Sequence, residues 1–554
     1  MNELVFIGLV IMAIIASVIF LTLKERRRCR QMIQSRWGQD PSLYYQPNEE
    51  SLSEASAYLL DMVSKKENVN LATWHDLDLF EVFKKINLTY SKYGEDMLYS
   101  ALKSVEVNAK EQLIVDEAWQ DYLEQHTGER EDIQYQLHQL GKKTNTNSIY
   151  RYFLDESISE TPLSTPLIKL AACLPILSLI LMIVTPKLGL GIFIASIFFN
   201  VVFYLVYKAK LEMELSTLSY YVQTLGVSVK LSKTPLLESS LKPLIQPLKS
   251  ILKYGFFFRV KSGSEVEVMI ESLSAMFLLP FVSFQLVDKT LRKHQKELKE
   301  LCLLIGKIDA NCAVLNFKQM NEGGWCKPHF HHETEINVKE LIHPLIKEPV
   351  ANNFTCHKTV LITGSNASGK STFIKSLGIS CILSQTLNMA LAEEFSLRRG
   401  VVMSSMGISD DIYEGDSYFM SEIKSLKEMI DNVATGSFTY CFIDEILRGT
   451  NTIERIGASA NTIKWLSQRD CLLFVATHDV ELPHILAKHC EMIYFSETVR
   501  EGQFSFDYKL KTGINTHRNA IKLLDIVGFP EEITNNATKD IAQFEATHHW
   551  QEVN

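Results

Sequence analysis

A glycine-rich stretch in the second half of the chain constrains the fold more than any other feature. Residues 364–371 read Gly-Ser-Asn-Ala-Ser-Gly-Lys-Ser and fit the pattern G-x-x-x-x-G-K-[ST]. The apolar run 359–363 before it predicts a buried strand, and the residues from Ser371 onward predict a helix. A strand, a glycine turn and a helix in this order predict a phosphate-binding loop, because backbone N–H groups converge on an anion there. A chance match in a glycine turn is the alternative.

The side chains of this loop predict its chemistry. Lys370 would place a positive charge beside the β- and γ-phosphates of a nucleotide, and the Ser371 hydroxyl would be a ligand of Mg²⁺. ATP and Mg²⁺ are therefore the expected cofactors. Gln385, on or just past the following helix, could reach the metal or the attacking water, or could be a plain surface glutamine. The other predicted phosphate-binding positions are Gly364, Ser365, Asn366, Ala367, Ser368, Gly369 and Thr372.

Two later apolar runs end in residues that would complete such a site. Residues 438–443 lead into Asp444 and Glu445. Asp444 would hold Mg²⁺, and Glu445 would act as general base on the attacking water. Residues 471–477 lead into His478, which would hydrogen-bond the γ-phosphate or orient the water. Surface carboxylates and a structural histidine are the alternatives.

The first apolar run predicts a membrane anchor. Leu4 to Leu23 is long enough to cross a bilayer and is followed by the basic segment 24–30. A cleaved signal peptide has its positive charge before the apolar run, so this order favours an uncleaved anchor with the basic flank inside. Directly after a membrane span, the basic segment is also expected to meet anionic lipid rather than nucleic acid.

Two further apolar runs predict a transmembrane hairpin. They cover residues 167–184 and 188–207, with Thr185-Pro-Lys187 between them. A buried helical hairpin in a soluble core is the alternative. With three spans, the remaining chain would lie in the cytosol at the inner (cytoplasmic) membrane, where ATP is available.

Composition limits the other possibilities. The formal net charge of −9 argues against non-specific nucleic-acid binding by the whole surface. The ten cysteines form no C-x-x-C pair, which indicates a reducing compartment rather than a disulfide framework. Cys326, His329, His331 and His332 have metal-ligand spacing, but no second ligand pair stands nearby, so a zinc site is the weaker interpretation.

Several stretches resemble the MutS family of DNA mismatch-repair ATPases, a branch of the ABC-type ATPases. Residues 363–372 resemble the family's TGPN-x-x-GKST, residues 442–450 its MDE-x-x-RGT, and residues 476–478 its ATH. Residues 407–422 resemble its GASDDL…STFM-x-E segment, which stands where transport ATPases carry LSGGQ. The resemblance implies a homodimer with composite sites, in which Ser417 contacts the γ-phosphate bound by the partner subunit.

The resemblance extends to both sides of these motifs. Residues 343–345 are similar to the family's HPL lead-in, and Val350 falls near its aromatic base-stacking position. Gln385 matches the family's Q-loop position. Residues 506–537 are similar to the family's tail, a helix–turn–helix that packs across the dimer. Gly528 and Pro530 fit a helix cap and a helix start in that tail.

The chain also departs from the family pattern. It is expected to lack the mismatch-recognition domain and a C-terminal nuclease segment, and its hairpin lies roughly where the family inserts its DNA clamp. The hairpin is therefore expected to replace some or all of that clamp. The predicted division is an anchor and basic flank (1–30), a tether (31–70), a first helical core part (71–166), the hairpin (167–208), a second helical lever part (209–320), a MutS-type ATPase domain (321–515) and a dimerisation segment (516–554).

The sequence thus predicts a C-terminal α/β P-loop ATPase domain of ABC type, preceded by an α-helical, lever-like region with transmembrane helices. The expected function is that of a membrane-anchored, homodimeric ATP hydrolase, which by family resemblance couples hydrolysis to DNA binding. One alternative is a membrane ATPase that acts on a protein or transport partner without recognising DNA. Another is a non-enzymatic scaffold that binds ATP as a switch, against which the intact acidic pair argues.

Overall fold

The chain divides into a helical unit and a unit built on parallel strands. The first comprises Met1–Glu67, Phe83–Ala101 and Leu113–Met320, and the second Asn68–Val82, Leu102–Gln112 and Asn321–Asn554. The computed structural model describes residues 2–105, 107, 114–142, 148–154, 165–210, 212–255, 272–365, 368–406, 418–500, 503–514, 520–547 and 549–550.

The chain up to residue 320 is helical wherever it is described as regular structure. Its α-helices are α1 (Asn2–Arg36), α2 (Glu49–Met62), α3 (Leu71–Asp76), α4 (Leu79–Ile86), α5 (Lys92–Lys103), α6 (Glu117–Gln125), α7 (Thr127–His138), α8 (Ser148–Arg151), α9 (Thr165–Val184), α10 (Pro186–Lys210), α11 (Glu212–Leu231), α12 (Pro235–Leu248), α13 (Ile251–Tyr254), α14 (Leu279–Lys293) and α15 (Gln295–Met320).

Helix α1 covers the first apolar run and continues 13 residues beyond Leu23 without a break. Its last turns dock on α7, where Arg30 pairs with Asp132 and the Gln34 side chain donates to Glu131 at 2.8 Å. Residues 31–70, predicted as a tether, contain the end of α1 and the whole of α2. Apolar side chains of the segment are buried in the helical unit, because α1 and α2 each carry an apolar face that must be covered: Ile33, Leu52, Ala55, Leu59 and Leu60.

Helices α9 and α10 form the predicted hairpin, with the turn at Thr185. Both are long and apolar enough to cross a membrane, and only 22% and 28% of their apolar windows are buried. Most of the hairpin surface is therefore exposed among the described residues rather than buried in the core of the helical unit. Near the turn the two helices approach so closely that a Cβ on Gly189 would lie 2.4 Å from the Met182 backbone nitrogen.

The base of the hairpin is fixed to the rest of the helical unit. Asn200 is 1% exposed, and its side-chain amide donates to the carbonyl oxygens of Ala171 at 3.0 Å and Met276 at 2.8 Å. Phe281 of α14 packs edge-on against Phe203, with ring centroids 5.7 Å apart. The two hydrogen bonds from the Asn200 amide nitrogen link α10 to α9 and to the segment before α14, whereas the Asn200 side-chain oxygen is buried without a partner among the described residues.

The described residues of the second unit form three sheets. A six-stranded sheet has the order β12–β9–β4–β8–β7–β6, a four-stranded sheet the order β1–β5–β2–β3, and β10 pairs with β11. The strands are β1 (His329–His331), β2 (Ile336–Leu341), β3 (Asn352–Cys356), β4 (Val360–Thr363), β5 (Glu394–Arg398), β6 (Val401–Ser405), β7 (Thr439–Asp444), β8 (Cys471–Ala476), β9 (Glu491–Tyr494), β10 (Glu497–Arg500), β11 (Gln503–Phe506) and β12 (Lys511–Thr512).

Five strands of the large sheet run parallel, namely β9, β4, β8, β7 and the edge strand β6, and β12 pairs antiparallel with β9. The strands β4, β6 and β8 are buried along their whole length, as expected of parallel strands covered on both faces. The helices of this unit are α3, α16 (Lys370–Leu387), α17 (Tyr418–Ala434), α18 (Thr452–Ser467), α19 (Glu481–Ile485), α20 (Ala520–Val527) and α21 (Glu531–Thr547). The α/β prediction for this part of the chain is confirmed at the level of its elements.

Helix α3 covers the sheet edge next to β6. Its Thr73 hydroxyl accepts from the Ser404 amide at 2.9 Å, and Asp76 accepts from the Ser404 hydroxyl at 2.7 Å and the Met406 amide at 2.9 Å. Burial raises the pKa of Asp76. The predicted boundary, which placed residues 71–76 in the helical core, differs here because an edge strand with open backbone groups gains from being covered.

The end of the chain forms two helices, α20 and α21, as predicted. Gly528 has φ +89° and follows the last residue of α20, so it ends the helix in the left-handed conformation that glycine favours. Pro530 immediately precedes α21, and its carbonyl oxygen accepts from the Ile533 amide at 2.9 Å.

Candidate active site

The glycine-rich loop connects β4 to α16, as the sequence predicts. Gly364 has φ +146° and Gly369 has φ +110°, conformations that side chains rarely adopt. A Cβ on Gly364 would also lie 2.6 Å from the Phe495 carbonyl oxygen. The loop therefore requires glycine at both positions. It ends where α16 begins at Lys370, so the positive end of the helix dipole faces the loop.

The Lys370 ammonium is folded back onto the loop. It donates to the carbonyl oxygens of Gly364 and Ser365, both at 2.9 Å, and lies 3.3 Å from His478 Nε2. Lys370 is 5% exposed. These carbonyl partners are neutral, so a phosphate bound in the loop would compete for the ammonium with stronger, charge-assisted hydrogen bonds.

The side chain of Ser371, in the first turn of α16, contacts the side chain of Asp444 at the end of β7. The Ser371 hydroxyl donates to Asp444 Oδ2, and Asp444 is the last residue of β7. The sheet brings this about, because β7, β8 and β4 are parallel and end at the same edge, with Asp444 opposite Ala476 and Ala476 opposite Ile362. A hydroxyl and a carboxylate are the hard oxygen ligands that Mg²⁺ prefers, so these two residues fit the predicted metal.

Glu445 and His478 form the other side of the site. His478 Nε2 lies 3.0 Å from Glu445 Oε1, and Arg448 Nε lies 3.0 Å from Glu445 Oε2. Glu445 has φ +60°, an unusual conformation for glutamate that turns the chain sharply after β7. Burial and then the neighbouring Lys370 ammonium lower the pKa of His478, so the imidazole is neutral at pH 7.

These residues surround one cavity of about 510 Å³. Eight of the predicted site residues line this cavity: Val350, Ser368, Gly369, Lys370, Ser371, Thr372, Glu445 and His478. Gly364 and Ser365 border it through their contacts with Lys370, and Asp444 through Ser371. Asn366, Ala367 and Ser417 lie outside the described residues.

The predicted role of Gln385 is wrong. Gln385 stands on α16, 15 residues after Lys370, which at about 1.5 Å per residue places it about 22 Å further along the helix. It is fully buried, and its side-chain oxygen accepts from the Gly400 amide at 2.8 Å. A glutamine at the far end of a straight helix cannot reach a metal at the near end, so its role here is to hold the turn between β5 and β6.

Two residues of the cavity wall were not predicted to be there. Tyr508 lines the cavity, and one of its ring carbons would lie 3.3 Å from a Cβ placed on Gly369. Asn352 holds it in place, because its side-chain amide donates to the Tyr508 carbonyl at 3.0 Å and accepts from the Leu510 amide at 2.8 Å. Tyr508 lies in the segment 506–537 that resembles the family's tail, but Asn352 is 156 positions away and no spacing rule joins the two.

Glu422 fixes the loop that follows Glu445. It is 6% exposed on α17, and its carboxylate accepts from the backbone amides of Leu447 and Arg448. Burial raises the pKa of Glu422, and these amide hydrogen bonds oppose that shift. The loop carries Arg448, the ion-pair partner of Glu445, so Glu422 positions the acidic end of the site without touching the cavity.

We expect Glu422→Ala to lower ATP turnover by about tenfold and to leave nucleotide affinity within about twofold, because misplaced catalytic groups cost rate more than binding. Steady-state kinetics with separate kcat and KM would measure this. The matched control is Glu428→Ala, an exposed glutamate on the same helix. Equal kcat for the two variants, or a loss confined to KM, would contradict the positioning role.

The cluster of Cys326, His329, His331 and His332 does not form a metal site in the described part of the chain. No group of three or more His, Cys, Asp or Glu side chains among the described residues could hold a metal ion. Cys326 instead forms a backbone bridge to Ala390, with both N–O distances at 2.9 Å. The weaker interpretation of the spacing, a zinc site, therefore has no support here.

Comparisons with known proteins agree with this geometry. Residues 360–545 match the sequence profile described as MutS domain V. The chain is 26% identical over 292 residues to the DNA mismatch repair protein MutS of Lactobacillus delbrueckii subsp. bulgaricus, which covers 50% of this chain and 34% of the relative. It is 28% identical to MutS of Aquifex pyrophilus over 51% of this chain and 34% of that relative, and 25% identical to MutS of Thermus thermophilus over 44% and 30%.

The chain thus spans about a third of the length of the curated relatives it matches. The profile match begins at the first residue of β4 and so contains the glycine-rich loop and the ends of β7 and β8. Together the profile and the relatives support a member of the MutS family, related through the C-terminal half of the chain.

Proposed function

We propose that the chain is an ATP hydrolase of the MutS type that is held at a membrane. The observation that carries the proposal is the meeting of Ser371 with Asp444, and of Glu445 with His478, around one cavity at the end of the glycine-rich loop. A hydroxyl–carboxylate pair for a divalent cation and a carboxylate–imidazole pair for water are the groups that nucleotide hydrolysis needs. A scaffold that only bound nucleotide would not need the second pair.

In this proposal each loop residue has one task. The phosphates of ATP lie against the backbone of Gly364 to Thr372 and take over the Lys370 ammonium from the loop carbonyls. Ser371 and Asp444 would hold Mg²⁺, which would neutralise charge on the phosphates. Val350 and Tyr508 line the wall that would face the adenine ring, with the tyrosine supplying the flat surface that valine lacks.

Hydrolysis then depends on Glu445 and His478. Glu445 accepts a proton from a water molecule while the water oxygen forms a bond to the γ-phosphorus and the bond to the leaving ADP oxygen breaks. His478 is neutral and lies beside both Glu445 and Lys370, where it would orient the water and contact the γ-phosphate. By resemblance, Ser417 of a second subunit would complete the site, so the working form would be a homodimer.

The membrane part of the proposal rests on the apolar hairpin. Its outward side chains include Ile180, Ile183, Ile194 and Phe198, all more than half exposed. A soluble protein rarely exposes an apolar surface of this kind. At the base of α10, Lys208 lies 5.5 Å from the centroid of the Tyr204 ring, an arrangement typical of a membrane–water interface.

The first apolar run would form a third span, since α1 contains all of it. The basic residues that follow it favour a cytosolic location for the rest of the chain, at the inner (cytoplasmic) membrane. The nucleotide site would then face the compartment that supplies ATP. The hairpin would stand in place of some or all of the family's DNA clamp.

By family resemblance we further propose that hydrolysis is coupled to DNA binding. The test is ATP turnover by the full chain in detergent micelles, with and without duplex, mismatched and branched DNA. Stimulation by at least one DNA, lost at high salt, would support the coupling, because phosphate contacts weaken with salt. Turnover indifferent to every DNA, together with no DNA retained in a binding assay, would contradict it.

That second result would favour a membrane ATPase that acts on a protein or transport partner. The observation in favour of this alternative is the combination of an exposed apolar hairpin with a net charge of −9. A negative protein is repelled by DNA unless a local basic site overcomes its charge.

A further inference from the structure

The helical unit contains a second cavity, of about 280 Å³, that is separate from the nucleotide site. It lies where the end of α1, the loop after α1, the loop before α5 and the end of α7 meet. Side chains from all four segments line it, among them Arg36, Tyr44, Tyr45, Tyr90, His138 and Lys142. Its volume is that of a small ligand with one ring rather than of a macromolecule.

The charges around this cavity are unbalanced. Arg36, His138 and Lys142 are basic, and none of the residues that line the cavity is acidic. The positive charge of Lys142 is compensated by an ion pair, because its ammonium lies 3.1 Å from Glu95 Oε1. Arg36 has no carboxylate within ion-pair distance among the described residues, and its guanidinium stands 5.1 Å from the centroid of the Tyr44 ring. The cavity thus presents one uncompensated positive charge, which favours an anion.

The positive charge of Arg36 affects the protonation of His138, which also lines the cavity. After burial, Arg36 is the largest cause that lowers the pKa of His138, which keeps that imidazole neutral at pH 7. His138 Nδ1 contacts the Cys29 sulfur at 3.4 Å. The imidazole therefore adds a polar wall to the cavity but not a second charge, and Arg36 is the group that would pair with an anion.

The remaining walls are aromatic. The Tyr45 ring faces the Lys142 ammonium at 4.1 Å from its centroid, and the Tyr90 ring stands edge-on to His138, with centroids 5.8 Å apart. The Tyr90 hydroxyl is buried and has no hydrogen-bond partner among the described residues. Tyrosine rings offer flat apolar surface for a ring to pack against, and an arginine in the same cavity wall would fix the orientation of a charged end.

We propose that this cavity binds a small anion that carries one ring, a phosphate or carboxylate on a flat apolar body. The ligand would be a dissolved molecule and not a lipid headgroup. Arg36 lies 13 residues after Leu23, which is about 20 Å along α1 at about 1.5 Å per residue. A headgroup at the end of the apolar run would not reach it. This choice of source rests on the proposed membrane span, whereas anion binding itself does not.

The probe for the test is phenyl phosphate. A second compound, sn-glycerol 3-phosphate, represents a lipid headgroup. Binding to the full chain in detergent would be measured by isothermal titration calorimetry, with saturating Mg-ADP present in every arm to occupy the nucleotide site. We expect saturable binding of phenyl phosphate that is at least about tenfold weaker in Arg36→Gln, the change expected for loss of one charged hydrogen bond. Glycerol phosphate should bind at least about tenfold more weakly than phenyl phosphate, because it lacks the ring.

The matched control is Arg28→Gln, an exposed arginine on the same helix. Tyr44→Leu serves as a second variant, which removes a ring and no charge. Unchanged thermal unfolding in detergent shows that the three variants are folded, and unchanged ATP turnover shows that the nucleotide site is intact, since none of these residues touches it. No binding by the unaltered chain, equal affinity in Arg36→Gln and Arg28→Gln, or a preference for glycerol phosphate would overturn the proposal. Loss of turnover in Glu445→Gln with phenyl phosphate binding retained would separate the two sites.

Discussion

Glu445→Gln lowers ATP turnover by about 10²–10⁴-fold, the contribution usual for a positioned general base, and leaves ADP affinity within about twofold. Glutamine has the shape of glutamate and keeps hydrogen bonds to His478 and Arg448, so the sharp turn at φ +60° is retained. What it lacks is an oxygen that can accept a proton from water. The measurement is steady-state phosphate release by the full chain in detergent, alongside equilibrium binding of a fluorescent ADP analogue.

The control for this variant is Glu454→Gln at the start of α18, an exposed glutamate that accepts from the Thr450 hydroxyl at 3.2 Å. It removes the same charge a short distance from the site and should keep turnover within about twofold. Turnover in Glu445→Gln equal to that of the control would refute Glu445 as the base. A parallel loss of ADP binding would instead assign Glu445 to nucleotide binding.

The second large effect concerns the hairpin. Arginine at the middle of a membrane helix costs about 2.5–3.5 kcal/mol of insertion free energy, so Ile176→Arg combined with Phe198→Arg, each near the centre of its helix, should prevent the hairpin from crossing the bilayer. Both side chains point away from the helical unit and are more than half exposed, so the double change removes no packing within the protein. Insertion is therefore affected and folding of the helical unit is not.

The readout is the location of the turn at Thr185. A cysteine placed there, in a chain whose exposed Cys173 is replaced by serine, should react with a membrane-impermeant maleimide from outside intact cells. In the double arginine variant this labelling should fall to background and reappear after lysis. Leu43→Arg, an exposed leucine 72% accessible outside the hairpin, is the control and should keep full labelling. Labelling from outside in every variant, or in none, would contradict the predicted span.

The parts of the fold that could be predicted are those encoded over a few residues. The glycine loop with Lys370 and Ser371, and the acidic pair after β7, stand out because backbone shape and chemistry are both specified locally. The apolar hairpin could be predicted because runs of about 20 apolar residues are uncommon in soluble proteins. In each case the local pattern already contained most of the information that the structure adds.

What could not be predicted depends on contacts between distant segments. Nothing near Asp76 indicates that it accepts hydrogen bonds from Ser404 and Met406, more than 300 positions later. Tyr508 is likewise brought to the glycine loop by the pairing of β12 with β9, which the sequence does not reveal. Gln385 shows the opposite case, in which a resemblance to a motif position predicted a role at the site, whereas α16 places the side chain about 22 Å along the helix from Lys370.

The length of α1 has a mechanical meaning. It is one helix of 35 residues, about 52 Å long at about 1.5 Å per residue, whereas the apolar core of a bilayer is about 30 Å thick. Because its C-terminal end is fixed to α7, such a helix acts as a rigid connection rather than a flexible linker. If α1 spans the bilayer as proposed, the helical unit is held at a fixed distance from the membrane, and a rotation of that unit tilts α1 within the lipid.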